Sequence, residues 1–478
     1  MDVNADQVAE IESALRSLVA RLDGEIDDAF VSECRALADR AREQAPPDLR
    51  VRTLRCLAGA MRALGADRAA VSEVLAEAVA VEGAEPITHA TVLFDAALSL
   101  GKAEAPKVLE MLQEAASIFE AGADAGRLAV TLLELGDRQG ALGERSAALE
   151  QFEKARAAAR AVGDALLVAR ADDRIAAAWW ELGRLDHAEQ HLRDALAVWN
   201  ATDDADAIAW ARYRLGWCLA ADVQTRERGD EALAMLSSAR DHARANDLLD
   251  VVAACDEKAA WVLAERGEQQ QAVALLRAAA SVFDALGDAY SLQVAQANLA
   301  EHLLDLDQAD EAEFLLRRVI ATDSHSQSAR TGAAARLARH LVRTGRAEEA
   351  LRLLDEMAPL VDLDDRLEGP TFLLARAAAY NALSMVQPTR EAAEKALEHL
   401  DQAKLPRLHA EVLEFLGRCS AYDGDTQKSE ALLGKAIALY LLADSLDDAR
   451  RLAVEIQPPL PKKDTPTAPP KLATGQYL

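Results

Sequence analysis

The sequence predicts an all-α solenoid of stacked helix–turn–helix repeats, and three observations predict it. Hydrophobic residues make up 51% of 478 positions while aromatics supply only 4%. Much of the apolar content is therefore Ala and Leu, strong helix formers, and strand-favouring residues are scarce. A small residue recurs at Ala148, Ala188, Ala232, Ala272, Ala312, Ala350, Ala393 and Ser429, a period of roughly 40 residues, as repeat architectures show. Four residues after each stands a large apolar one (Phe152, Leu192, Leu236, Leu276, Leu316, Leu354, Leu397, Leu433). Three further on come Ala155, Ala195, Ala239, Ala279, Val319, Met357, Leu400 and Ala436. Spacing of i, i+4, i+7 marks one helix face, and the same face eight times over is a repeated packing surface.

The elements follow in order. Residues 1–45 are expected to form an N-terminal capping hairpin, with helices between 5 and 44, closed by Pro46-Pro47 and shielding the first repeat. Residues 46–456 form the solenoid. Glycines in the turns (Gly143, Gly183, Gly267, Gly345, Gly424) permit the left-handed conformation that ends a helix cheaply. Upstream of each turn lies another apolar helix, such as Leu132-Leu133-Glu134-Leu135-Gly136 or Tyr213-Arg214-Leu215-Gly216. Asp164, Asp204, Asp247 and Asp288 separate consecutive pairs. Gly163-Asp164 and Gly287-Asp288 read as a helix stop followed by an N-cap. Pro370, Pro388 and Pro406 fit first helical turns, where a missing N–H costs nothing. Residues 457–478 hold six of the fourteen prolines, with Lys462, Lys463 and Lys471 against Asp464. Such a stretch reads as a disordered, mildly basic tail.

These residues resemble the tetratricopeptide repeat (TPR) superfamily in its longer variety of about 40 residues. The Leu-Gly of the family's first helix stands at Leu135-Gly136, Leu215-Gly216 and Leu416-Gly417. It becomes Ile175-Ala176, Leu299-Ala300 and Leu337-Ala338 elsewhere. The resemblance covers residues 126–445 best. Residues 50–120 match through Gly59, Leu75, Ala78, Val108, Leu112 and Ala115, and the family's aromatic residues are mostly absent. It implies a right-handed superhelix with a concave groove, and a role in binding a protein or peptide.

Several function classes are excluded. The formal charge of −27 argues against a nucleic acid or another polyanion as partner. No run of eighteen apolar residues offers a membrane span, and the polar start Met1-Asp2-Val3-Asn4-Ala5-Asp6 is unlike a signal peptide. Five scattered cysteines without a CxxC pair (Cys34, Cys56, Cys218, Cys255, Cys419) read as reduced core residues of a cytoplasmic protein. The Ala-, Arg- and Asp-rich composition suggests, by association, a high-GC bacterial source. No P-loop, GxGxxG or GxSxG element occurs, and the glycines sit at helix ends, so no phosphate cradle is expected. His187 and His191 lie one turn apart without a zincin glutamate. Flanking core Ala188, they are expected on a solvated helix side, with no metal. Asp203-Asp204 and Asp364-Asp365 read as helix starts rather than catalytic dyads. No catalytic residue, metal or cofactor is expected.

Two features stand out against this background. All six tryptophans (Trp179, Trp180, Trp199, Trp210, Trp217, Trp261) lie within 83 residues. Trp210, Tyr213 and Trp217 share a stripe of one first helix, Trp261 repeats the Trp217 position in the next repeat, and Trp180 lies in the preceding one. The rings either fill gaps between small alanines or form a groove patch that anchors a partner, as Trp and Tyr do at hot spots. The second feature is Arg336, Arg339 and Arg343 at i, i+3, i+7, with Arg330 and Arg346 nearby. It is either a solvated face paired with Glu348 and Glu349 or an anion clamp using the guanidinium fork. Glu411, Glu414 and Arg418 make the surroundings mixed.

The candidate partner-binding residues are therefore Trp180, Trp210, Tyr213, Trp217, Trp261, Arg336, Arg339 and Arg343. The expected function is a non-catalytic scaffold or regulator that holds a partner segment in the concave groove. The alternative is a sensor in which a small molecule or peptide alters the solenoid pitch.

Overall fold

The computed structural model describes residues 5–22, 26–221, 226–322, 327–363, 365, 368–400, 405–443 and 445–456. The tail at 457–478 lies outside them, as does Asp364. The described residues form 23 α-helices and two short 3-10 turns, with no strand among them. Two compact units divide the chain, Met1–Val262 and Leu263–Leu478.

The first unit opens with α1 (Ala5–Val19) and α2 (Asp28–Gln44), an antiparallel pair laid on α3 (Pro47–Ala63). Ile11, Leu15, Phe30 and Cys34 share one core with Leu54, Leu57 and Leu75. The pairs α3/α4 (Arg68–Val79), α5 (Pro86–Ser99)/α6 (Ala105–Ala121), α7 (Ala125–Ala141)/α8 (Arg145–Val162), α9 (Ala165–Glu181)/α10 (Leu185–Trp199) and α11 (Ala205–Ala221)/α12 (Arg226–Ala245) follow. α13 (Leu249–Glu265) contains the division. The second unit continues with α14 (Gln269–Leu286), then α15 (Ala289–Asp305)/α16 (Ala309–Ala321), α17 (Gln327–Arg343)/α18 (Ala347–Met357), α19 (Glu368–Ala382)/α20 (Val386–His399) and α21 (Pro406–Tyr422)/α22 (Thr426–Leu442). α23 (Leu446–Ile456) closes it.

Several odd-numbered helices touch the next odd-numbered helix as well as their own partner: α1 meets α3, α3 meets α5, α7 meets α9, α15 meets α17, α17 meets α19, and α19 meets α21. They form the inner layer of each unit. The packing face read from the repeat is the buried face. Of its 24 positions in α8 through α22, all but Leu397 and Leu433 are fully buried. The small residue after Leu in the first helix is required by contact. A Cβ at Gly216 would meet Leu236 Cγ at 2.8 Å and its backbone N at 3.1 Å, and one at Gly417 would meet Leu433 Cγ at 2.7 Å.

Helix ends follow the expected chemistry with one exception. Asp164, Asp204 and Asp288 cap α9, α11 and α15, each accepting an N–H three residues on at 3.0–3.1 Å. Pro370, Pro388 and Pro406 all stand within first turns. Asp365 likewise accepts the Glu368 N–H at 2.7 Å. Asp247 differs: with φ +57° it occupies the left-handed position that Gly163 and Gly287 fill elsewhere. Asp307 and Ser384 take the same conformation where their turns lack glycine. Asp tolerates it because its short side chain can bond the local backbone. Alanine gains no such compensation, yet Ala123 sits at φ +54°. Ala123→Gly should therefore raise stability by about 0.5–1 kcal/mol, the relief of strain less the added freedom of the unfolded chain. A higher urea midpoint at unchanged slope would register it.

Candidate functional site

The five aromatic candidates all lie on inner-layer helices of the first unit. The Trp180 and Trp217 ring centroids are 4.8 Å apart, Trp217 and Tyr213 6.1 Å, and Tyr213 and Trp210 5.4 Å in an edge-on pair. The result is a row of four rings across α9 and α11. Lys258 from α13 places its ammonium 4.7 Å from the Trp217 ring, a cation–π contact the sequence reading missed. Lys258 also donates to the buried Glu257 at 3.1 Å. The rings divide between packed and open positions. Tyr213 is buried, and burial, with Glu257 nearby, pushes its phenol pKa up. Trp180, Trp210 and Trp217 are half-buried, and Trp261 is 39% exposed. Of the remaining two, Trp199 is core, and Trp179 lies against His187 at 4.8 Å.

The arginine stripe is corrected in its partners. Arg336 Nε donates to Glu301 on α15 at 2.8 Å, and Arg339 Nη2 donates to Glu411 on α21 at 2.6 Å. The expected partner Glu349 instead takes Arg317 and Arg346. Side chains on the inner layer reach sideways to neighbouring first helices, not along the chain to the next turn. Arg343 is exposed and has no carboxylate partner among the described residues. The three arginines line a cleft of about 370 Å³ with Arg407, Arg451 and five acidic residues. It is a mixed field, not a positive spot. Glu414, only 8% exposed in its side chain, accepts from Arg451 at 2.9 Å, Tyr440 at 2.8 Å and Arg418 at 2.8 Å. Burial would raise its pKa, but these donors outweigh burial and hold it below the ordinary glutamate range.

The histidine pair is also corrected. His187 is half-exposed, but His191 turns inward, its Nδ1 2.8 Å from Asp172. Arg156 donates to the same oxygen at 3.0 Å. Burial works against the Asp172 carboxylate, and these two partners overcome it and lower its pKa. An acid buried between α8 and α10 needed a donor, and the histidine one turn from Ala188 is within reach. Among the described residues, no group of three His, Cys, Asp or Glu side chains could hold a metal ion. No helix among them is long and apolar enough to cross a membrane.

A second cleft, of about 420 Å³, lies wholly in the first unit, and sequence reasoning did not find it. Phe94 and Leu98 of α5 and Val130 and Leu133 of α7 line it together with Arg170, Asp173, Arg174, Trp210 and Arg214. Asp173 is buried. Its Oδ2 accepts from Trp199 Nε1 at 3.1 Å and pairs with Arg214 at 3.2 Å, while Oδ1 has neither partner nor solvent. Burial pushes its pKa up, and an unpaired dry oxygen costs about 1–3 kcal/mol. Asp173, Glu257 and Glu414 share one register, three residues before Ala176, Ala260 and Gly417. An acid recurring three residues before the small residue of the Leu-Gly step was the signal available.

No protein-family model matches the chain, and no curated protein matches it. Solved structures do. The apo form of the quorum sensor NprR from B. thuringiensis is 13% identical and covers 82% of this chain and 99% of its own, with a TM-score of 0.50. The fold is that of a tetratricopeptide-type repeat solenoid. A Rap protein complexed with competence and sporulation factor is 13% identical, covering 84% of this chain and 99% of its own at a TM-score of 0.46. The apo form of RapI covers 61% and 96% at 15% identity and a TM-score of 0.43. In this TPR-type solenoid, all eight candidate residues fall on inner-layer helices. The geometry joins four of the aromatics into one row and disperses the arginine stripe into cross-helix ion pairs.

Proposed function

We propose that this TPR-type solenoid is a non-catalytic binding protein that holds a segment of a partner protein against its inner-layer helices, acting as a scaffold or regulator. The observation that carries this reading is the ring row Trp180–Trp217–Tyr213–Trp210, in which the three half-buried tryptophans are packed on the buried Tyr213, with Trp261 exposed on α13. Aromatic rings fixed by neighbours on one side and open on the other suit an anchor, because little rotamer entropy is lost on binding. Arg343 supplies an exposed guanidinium for an acidic group of the partner. Arg336 and Arg339 can contribute only by exchanging Glu301 and Glu411 for the partner's carboxylates. The partner carries no polyanion, given the net charge of −27. Five free thiols support a reducing, cytoplasmic setting.

Affinity capture with the full chain, followed by mass spectrometry, identifies the partner. Against it, Trp217→Ala should weaken binding by about 2 kcal/mol or more, as an anchor does. Trp261→Ala should weaken it without lowering the melting temperature. Unchanged binding in both variants would leave the rings with a packing role alone.

The second reading is a ligand-responsive sensor. The Arg339–Glu411 pair favours it, because it ties α17 directly to α21 past the intervening α19/α20 hairpin. A ligand carboxylate that captured Arg339 would release that tie and alter the pitch within the second unit. The likeness to the quorum sensor NprR lends this reading support by fold alone.

A further inference from the structure

The cleft of the first unit shares Trp210 with the ring row, but its other lining residues lie outside that row. At about 420 Å³ it falls within the ~300–1,000 Å³ range of small-molecule sites. Phe94, Leu98, Val130 and Leu133 of α5 and α7 give it an apolar portion, and Glu134 and Asp137 of α7 face an ionic wall with residues of α9 and α11. The ionic side is largely held by internal pairs. Arg174 bonds Asp137 at 2.8 Å, Arg214 bonds the buried Asp173 at 3.2 Å, and Glu134 is taken by Arg138.

What remains uncommitted carries both signs. Arg170, one turn before Arg174, is exposed and has no carboxylate partner among the described residues. Asp204 spends one oxygen on its helix cap, and Asp206 in the first turn of α11 is exposed. A monoanion would meet those two carboxylates, and a monocation would meet Arg170. A chain of net charge −27 also repels anions at long range, whereas a zwitterion feels no such net force. We propose that this cleft binds a zwitterion with a large apolar side chain, an apolar α-amino acid or a dipeptide of such residues. Its carboxylate lies on Arg170, its ammonium on Asp206, and its side chain against Leu98 and Val130. Asp173 is too dry to meet the ligand through its unpaired oxygen, but it fixes Arg214 and the Trp199 indole at the ionic wall.

Isothermal titration of the full chain tests this with L-phenylalanine and L-leucyl-L-phenylalanine as probes, beside N-acetyl-L-phenylalanine and L-phenylalaninamide. Saturable binding of at least one zwitterion is expected, and which of the two binds tells the free amino acid from the dipeptide as the source. Blocking either charge should weaken binding about tenfold or more, and so should Arg170→Ala or Asp206→Asn. Both side chains are exposed, so unchanged melting curves are expected for these variants. Trp199 and Trp210 line the cleft, so tryptophan emission gives a second readout. No saturable binding of either zwitterion at about 10 mM overturns the proposal. So do equal affinities of the blocked compounds, or wild-type affinity in both variants. Partner capture through Trp217 is unaffected by any of these outcomes.

Discussion

Glu414→Ala is expected to destabilise the unit Leu263–Leu478 by about 3–5 kcal/mol, the cost of removing one member of a buried ionic cluster. The carboxylate accepts from Arg451, Tyr440 and Arg418 at once. Tyr440 is 1% exposed, and its hydroxyl would lose its carboxylate acceptor. Glu414→Gln should cost less, because an amide oxygen still accepts from Tyr440 while the two guanidinium contacts weaken. The same cluster predicts a pH dependence. The folded-state pKa of Glu414 is depressed, so its stabilisation is complete above the unfolded value of about 4.3. It is lost as pH falls through the lower folded value. Urea titrations at neutral pH and at about pH 3 should show the wild-type and Gln variant converging at the lower pH. A constant difference between them would remove the depressed carboxylate from the account.

Leu236→Ala is expected to cost about 2–5 kcal/mol, since the side chain is 1% exposed and its removal leaves a cavity beside Gly216. Gly216→Ala should cost about 1–3 kcal/mol for the opposite reason. Its new methyl would stand 2.8 Å from Leu236 Cγ and 3.1 Å from the Leu236 backbone nitrogen. Because both changes act on one contact, they should not add. The double variant places the Gly216 methyl in the space Leu236 vacates and should be more stable than the sum of the singles implies. Strict additivity in denaturant melts would mean that the helices separate rather than pack at this point. The same test applies at Gly417 and Leu433, where the corresponding approach is 2.7 Å.

Most of the fold could be read without coordinates because it is local chemistry repeated. The i, i+4, i+7 triplet from Ala148 to Ala436 names the buried face of every second helix. The Leu-Gly step names the point of closest approach, and Gly-Asp pairs name stops and starts. Each depends on residues a few positions apart, whose helical geometry is known in advance. Asp247 shows the limit of that reading. The same residue type caps at Asp164 and takes the left-handed position at Asp247, because Asp satisfies either role and the neighbouring turn decides.

The site depended on longer reach. The sequence by itself determined which residues share a helix face: the tryptophan stripe of α11 and the arginine stripe of α17. Only the tertiary structure decided what each of them meets. Arg339 finds Glu411 72 residues away, Trp217 takes Lys258 over its ring, and Asp173 is sealed beneath Trp199. A helix periodicity specifies a direction from one axis. It does not specify the lateral spacing between first helices of successive hairpins, which comes from summed packing across whole repeats. Electrostatic partners follow that spacing because ion pairs form only within about 4 Å. Two of the three arginines of the stripe are therefore neutralised by neighbouring helices while Arg343 stays open, and the buried Asp173 holds Arg214 at the wall of a cleft.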